Sequence, residues 1–160
     1  MRIAVIADTH DEVPSALPGG LREADEIWHL GDVCSPNVLA ALNPHDRPLW
    51  VVRGNGDYHS DWPESLLLER EGQRFLLVHI PPMRVPLGIE VVLHGHTHFP
   101  RDEVDPHGVR WLNPGAITGP RGGSRAGFAW LTIEPGRPFE WRWIDLKRVR
   151  DLLPGARRSE

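Results

Sequence analysis

The segment Ile3-Ala4-Val5-Ile6-Ala7-Asp8-Thr9-His10 decides how this chain is read. Five successive apolar residues without alternation describe a strand covered on both faces, as in the interior of a layered α/β sheet. The run stops at Asp8, and the turn after it carries His10. Two further runs end in the same way: Glu26-Ile27-Trp28-His29-Leu30 leads into Gly31-Asp32, and Leu49-Trp50-Val51-Val52 into Arg53-Gly54-Asn55. Between them the chain reads as a loop with a short helix, roughly residues 15–24, and as a helix over 35–42 with Ser35 as N-cap and Pro36 at its first position. This β-α-β rhythm delivers polar residues to three consecutive strand ends, where open α/β sheets carry their sites.

Further along, residues 65–70 and 74–78 flank Glu71-Gly72-Gln73 as a hairpin, and His79 closes its second strand. The link 80–90 holds three prolines and is too short for a helix. Val91-Val92-Leu93 is the next strand and runs toward Gly95-His96-Thr97-His98. Strands are also read over 109–112, 126–133 and 139–144, punctuated by Asn113-Pro114-Gly115 and Pro135-Gly136. Trp141 and Trp143 share one strand face by period-two alternation and read as core or subunit interface. There is no internal repeat or linker. The expectation is one domain over 1–160, with a flexible tail from about 154.

The 160 residues are 40% hydrophobic with a net charge of −4, which favours neither disorder nor a basic nucleic-acid surface. Cys34 is the only cysteine, which excludes an intramolecular disulfide and suits a reducing compartment. No apolar run approaches the roughly 20 residues that span a bilayer, and the N-terminus enters a strand without signal-peptide anatomy. A cytoplasmic location is expected. Lys147 is the only lysine, and glycine and proline number 16 each, biases that carry no functional conclusion.

Taken singly, the polar strand ends have simpler explanations. Asp8-x-His10 occurs in ordinary turns, and Asp32 suits a helix N-cap. Gly54-Asn55-Gly56-Asp57 fits a tight turn in which Asn and Gly supply positive φ. His79 would serve as a strand-end histidine. Gly95-His96-Thr97-His98 is sharper, because histidines at i and i+2 project to one side while Gly95 lets the backbone turn. Together they form a joint pattern that independent turns would not produce: Asp-x-His, Gly-Asp, Gly-Asn, His and Gly-His-x-His, each at a strand end.

In that pattern the sequence resembles the calcineurin-like metallophosphoesterases, and within them the small single-domain phosphodiesterase branch. The motifs run from Asp8 to His98, and Leu112-Asn113-Pro114-Gly115-Ala116 with Gly119-Pro120-Arg121 matches a further element. The resemblance implies an α/β fold, a four-layer αββα sandwich of two mixed β-sheets flanked by helices and trimmed on the helical side after His79. It implies that Asp8, His10 and His98 hold one divalent metal, that Asn55, His79 and His96 hold a second, and that Asp32 bridges. Asp32, Asn55 and His96 are then the residues expected to act in catalysis. Two dications against two carboxylates leave a centre of about +2 that favours phosphate esters in an acidic protein. A bridging water activated between metals about 3.5–4 Å apart would attack phosphorus in line. Mixed nitrogen and oxygen ligation suits Mn, Fe, Zn, Ni or Co, and the resemblance puts manganese first.

Two departures qualify the resemblance. Many relatives carry a histidine directly after Gly-Asn, partnered by the following acid, to assist the leaving group; here Gly56 stands there and Asp57 lacks that partner. Loss of a general acid slows poor leaving groups roughly 10²–10⁴-fold, which shifts the expectation from monoesters to activated esters or diesters. His59 is a substitute only by sequence proximity. After His79 the chain continues Ile80-Pro81-Pro82 rather than Gly-His and a helix, so either the cleft is more open there or a partner in a homo-oligomer covers it. Arg53 and Arg121 are candidate contacts to a small phosphate-ester substrate; Arg125 reads better as solvated. The rival function is a protein-binding scaffold, because one retromer subunit resembles this branch, yet all seven ligand types are kept here. A metallo-β-lactamase-type hydrolase would need an early His-x-His-x-Asp-His cluster, which is absent.

Overall fold

The computed structural model describes residues 1–152, so the expectation about the tail from about 154 lies outside the described residues. Ten strands form two five-stranded sheets. The first contains β1 (Arg2–Ile6), β2 (Glu26–His29), β3 (Leu49–Val51), β9 (Gly127–Thr132) and β10 (Glu140–Asp145), in the order β10-β9-β1-β2-β3. The second contains β4 (Ser65–Arg70), β5 (Gln73–Val78), β6 (Val91–Leu93), β7 (Pro100–Val104) and β8 (Arg110–Pro114), in the order β4-β5-β6-β8-β7. Both sheets are mixed: β1, β2 and β3 run parallel with β9 antiparallel to β1, and β5, β6 and β8 run parallel with antiparallel edges.

The unbroken apolar run of β1 is explained by its two neighbours. Ala4 and Ile6 face a helical layer built from α1 (Leu17–Gly20), α2 (Asn37–Leu42) and α3 (Leu146–Leu152), together with Ile27, Phe128 and Trp130. Ile3, Val5 and Ala7 face the second sheet and pack with Trp28, Phe75, Leu77, Leu93 and Leu131. The outer face of the second sheet is covered differently. Val92 and Trp111 are roofed by Ile89 and Val85 of the Pro-rich link, and no helix lies there among the described residues. The fourth layer is thus trimmed to a loop, because prolines at 81, 82 and 86 deny the link a helical hydrogen-bond ladder.

Three local expectations are corrected. The first helix is only four residues, since Pro18-Gly19-Gly20 cannot extend it. The second begins at Asn37 with Pro36 in the cap position; Ser35 gives no side-chain cap and contributes its carbonyl to the Val38 amide at 3.0 Å. Strand β7 was not anticipated: it is a charged edge strand starting on Pro100 and paired antiparallel with β8, with the Arg110–Asp102 ion pair on its surface. The hairpin forms as read, with Glu71 and Gly72 both at positive φ between paired Arg70 and Gln73. Trp143 lies over Gly127, where a Cβ would stand 2.5 Å from its ring, and Trp141 packs at the core between the sheets.

Candidate metal centre

The ends of β1, β2, β3, β5 and β6 meet at one edge of the sandwich, and the loops there are laced by backbone bonds. The Asp8 amide donates to Gly31 O and the His10 amide to Asp32 O, each at 3.0 Å. Buried His29 accepts the Gly31 amide on Nδ1 and so presents Nε2–H to Thr9 Oγ1 at 3.1 Å. Asp57 is nearly fully buried, and its carboxylate accepts the amides of Asp32, Cys34 and Gly54 at 2.9, 2.7 and 2.7 Å. Loop 54–57 also returns a bond, from the Gly56 amide to Asp32 Oδ1 at 2.7 Å. A Cβ on Gly54 would stand 2.2 Å from both Asp32 N and Asp32 Oδ1, so only glycine allows this approach.

The backbone of the site is held against its preference. Asp8, His10, Asp32, His96 and His98 all have φ between 44° and 66°, the left-handed region that non-glycine residues rarely occupy. The turn carrying His96 and His98 is gripped from beneath by fully buried Asn113, whose amide donates to Gly95 O and Thr97 Oγ1, each at 3.0 Å.

All seven residues expected as ligands converge. His98 Nε2 lies 3.2 Å from both Asp8 Oδ1 and His10 Nε2, and His10 Nε2 lies 3.6 Å from Asp32 Oδ2. On the other side of Asp32, His79 Nε2 is 3.4 Å from Asp32 Oδ1 and 3.0 Å from Asn55 Oδ1, which His96 Nδ1 approaches to 2.9 Å. His98 Nδ1 is 2.7 Å from Gly119 O and His79 Nδ1 is 2.7 Å from Leu30 O. Those carbonyls place the proton on Nδ1 and leave the Nε2 lone pairs aimed inward. Asp8 Oδ1 is buried and accepts no hydrogen bond; His98 Nε2 lies 3.2 Å away, and with the His98 proton on Nδ1 that nitrogen offers a lone pair.

Lone pairs facing lone pairs in a buried cluster are unfavourable without a shared positive charge, so the donor set fits cations. Two groups have the required proximity, Asp8-His10-His98 and Asp8-Asp32-His79. Burial raises the Asp8 carboxyl to about 7, an effect that His79 opposes and Asp32 reinforces. Burial acts to raise Asp32 as well, but without a cation a protonated His79, which then gives Nε2–H to Asp32 and adds its charge, and the Gly56 amide bring it down to about 2. His79 is raised despite burial, by Asp32, Leu30 O and the charge of Asp8, whereas burial lowers His96 and His98.

The arginines divide. Arg53 lines a cleft beside Asn55 and pairs with Glu64. Arg121 donates its amide to His98 O at 3.0 Å, and its charge acts on Asp8, His96 and His98. Arg125 turns away to Asp145 at 2.8 Å, and His59 is exposed. His94, which alternation would align with His96, instead faces the opposite way, beside Arg101 and Trp111. Sequence reasoning missed the supporting residues His29, Asp57 and Asn113. Asp57 three residues after Gly54 is an acceptor placed to close its own turn, and that signal was available.

Facing mixed sheets with a carboxylate, imidazole and amide cluster at one shared edge fit the metallophosphoesterase class. Residues 1–136 match the calcineurin-like phosphoesterase superfamily domain, and the chain belongs to that family. It is 36% identical over 141 residues to a probable metallophosphoesterase of Methanothermobacter thermautotrophicus, covering 76% of this chain and 80% of the relative. Among solved structures, YfcE, a phosphoesterase from E. coli, superposes with a TM-score of 0.71 at 26% identity, over 82% of this chain and 88% of that one. Vps29 of Chaetomium thermophilum shares the fold, with a TM-score of 0.72 at 15% identity over 90% and 93% of the two chains. Membership implies divalent metals and hydrolysis of phosphate esters. Among the described residues no helix is long and apolar enough to cross a membrane.

Proposed function

We propose that the protein is a phosphodiesterase with a dinuclear centre, manganese being the first candidate. In this reading Asp8, His10 and His98 hold one cation, Asn55, His79 and His96 hold the second, and Asp32 spans both. The observation that carries it is the buried Asp8 Oδ1, without a hydrogen bond and surrounded by inward lone pairs. Bound there, two divalent cations would supply Lewis acidity and an activated water.

The chain's own residues do the rest. Asn55 offers its Oδ1 to the His79 and His96 side, leaving its NH2 group to donate to a phosphoryl oxygen. Arg121, bonded through its amide to His98 O, supplies charge on that side, while Arg53 flanks the Asn55 side. No acid stands at Gly56, and the Asp57 carboxylate is engaged by three amides, so nothing on that loop protonates a leaving group. Esters whose leaving group departs as a stable anion are favoured accordingly.

Metal content by elemental analysis, with hydrolysis of bis(p-nitrophenyl) phosphate under added Mn, tests the reading. The expected result is about two metals per chain and metal-dependent turnover abolished by Asp32→Ala. A protein that binds no metal at an Asp32→Ala-sensitive site would leave only the scaffold role.

A further inference from the structure

Beside the candidate centre lies a cleft of about 610 Å³ that the hydrolytic machinery does not account for. It opens at Asn55 and His79 and extends outward past Tyr58, Val78 and Ile80, with Arg53 and Glu64 on its wall. Tyr58 is 85% exposed and Ile80 53% exposed, two large apolar surfaces left to water beside one opening. The space is far larger than a phosphate group, and a methyl or other small ester would leave it wet.

We propose that this cleft receives the second ester arm of a phosphodiester substrate, and that this arm carries a planar aromatic ring. The inference rests on the phosphodiesterase reading above. The ring lies against Tyr58 and Ile80, which lose their exposure on binding. The Arg53–Glu64 pair presents a donor and an acceptor to the ring's polar edge. Because the cleft begins at the ligands Asn55 and His79, a group seated in it is tethered to a phosphorus at the centre. In the reaction the water oxygen bonds to phosphorus and the P–O bond to the other arm breaks. The departing oxygen takes the electron pair, the water proton passes to solvent, and the aromatic arm remains as a phosphomonoester.

The test uses three diesters that share one leaving group, the methyl, benzyl and thymidine-5′-yl esters of p-nitrophenyl phosphate, with the Mn-loaded protein. A common leaving group and three alkyl-type second arms isolate what the cleft reads. Benzyl and thymidine esters are expected to exceed the methyl ester about tenfold in kcat/KM, the worth of one stacked ring. Tyr58→Ala is expected to bring those ratios close to one, and Tyr58→Phe to retain them. Arg53→Gln lowers the thymidine ester more than the benzyl ester if a nucleobase is the natural ring, and both alike if a plain aryl group is. Calorimetry supplies a readout without turnover: phenylphosphonate should bind about tenfold more tightly than methylphosphonate, and Tyr58→Ala should erase the difference. Equal rates for all three esters, or ratios unmoved by Tyr58→Ala, overturn the pocket and leave the phosphodiesterase standing. No metal-dependent release from any ester overturns both.

Discussion

The Asp57 carboxylate holds the backbone amide of Asp32 at 2.9 Å, so an acid left without a histidine partner at Gly56 instead fixes the backbone that carries the Asp32 carboxylate. The same group spans Cys34 and Gly54, tying the β2 end to the β3 end.

Asp57→Asn should therefore act through position and not through proton transfer. An amide nitrogen would face backbone N–H groups, and each buried amide left without an acceptor costs about 1–3 kcal/mol. The expected outcome is a lower melting temperature, weaker Mn binding by calorimetry, and a fall in kcat/KM that is the same for p-nitrophenol and phenol leaving groups. A loss confined to phenol would identify Asp57 as part of an acid relay.

His79→Ala and His96→Ala should weaken the same cation. Each is expected to lower its affinity at least about tenfold, a range set by the effect of losing even an outer partner of a ligand. Because the two rings share Asn55 Oδ1, the double variant should lose less than the sum of the single losses. Strict additivity in metal titrations would mean separate ions.

Gly54→Ala and Gly72→Ala separate crowding from backbone preference. At Gly54 the new Cβ meets Asp32 at 2.2 Å, whereas at Gly72 nothing lies within 4 Å although φ is +74°. Chemical denaturation should give a loss of roughly 2–4 kcal/mol for the first. The second should lose about 1 kcal/mol. Only the first should reduce Mn affinity.

His29 gives a pH signature. Full burial lowers its pKa from 6.5 to about 3, with the charge of His79 adding to the effect. The unfolded chain then binds a proton that the folded chain refuses between these values. This contribution to stability is complete above about pH 6.5 and is lost progressively as the pH falls toward about 3. Denaturation curves of His29→Gln should be less stable than wild type at pH 7 but should decline less between pH 6 and 4. Parallel declines would refute the assignment.

Much of this was legible because burial on two faces leaves an unmistakable trace. Ile3 to Ala7 could only be an inner strand, and the polar residues that interrupt such runs were conspicuous. Strand β7 left no trace, since an edge strand needs neither apolar residues nor alternation, and Arg101, Asp102 and Glu103 look like a loop. Ser35 misled because the rule for caps is local, whereas the first turn of α2 is set by where the chain leaves the site. The grip of Asn113 on Gly95 and the reach of Asp57 to Asp32 and Cys34 were hidden for another reason: each is defined by groups of a distant segment, whereas the Asp57 bond to Gly54 is local and was legible.

The left-handed backbone at Asp8, His10, Asp32, His96 and His98 has an evolutionary consequence. At each, an L-residue is disfavoured by about 1 kcal/mol relative to glycine, so the sequence best for folding is not the sequence best for holding metal. Selection for turnover must keep opposing a drift toward glycine or asparagine at these five positions. A lineage released from hydrolysis, and retained only for its surface, would gain stability by yielding to that drift one position at a time.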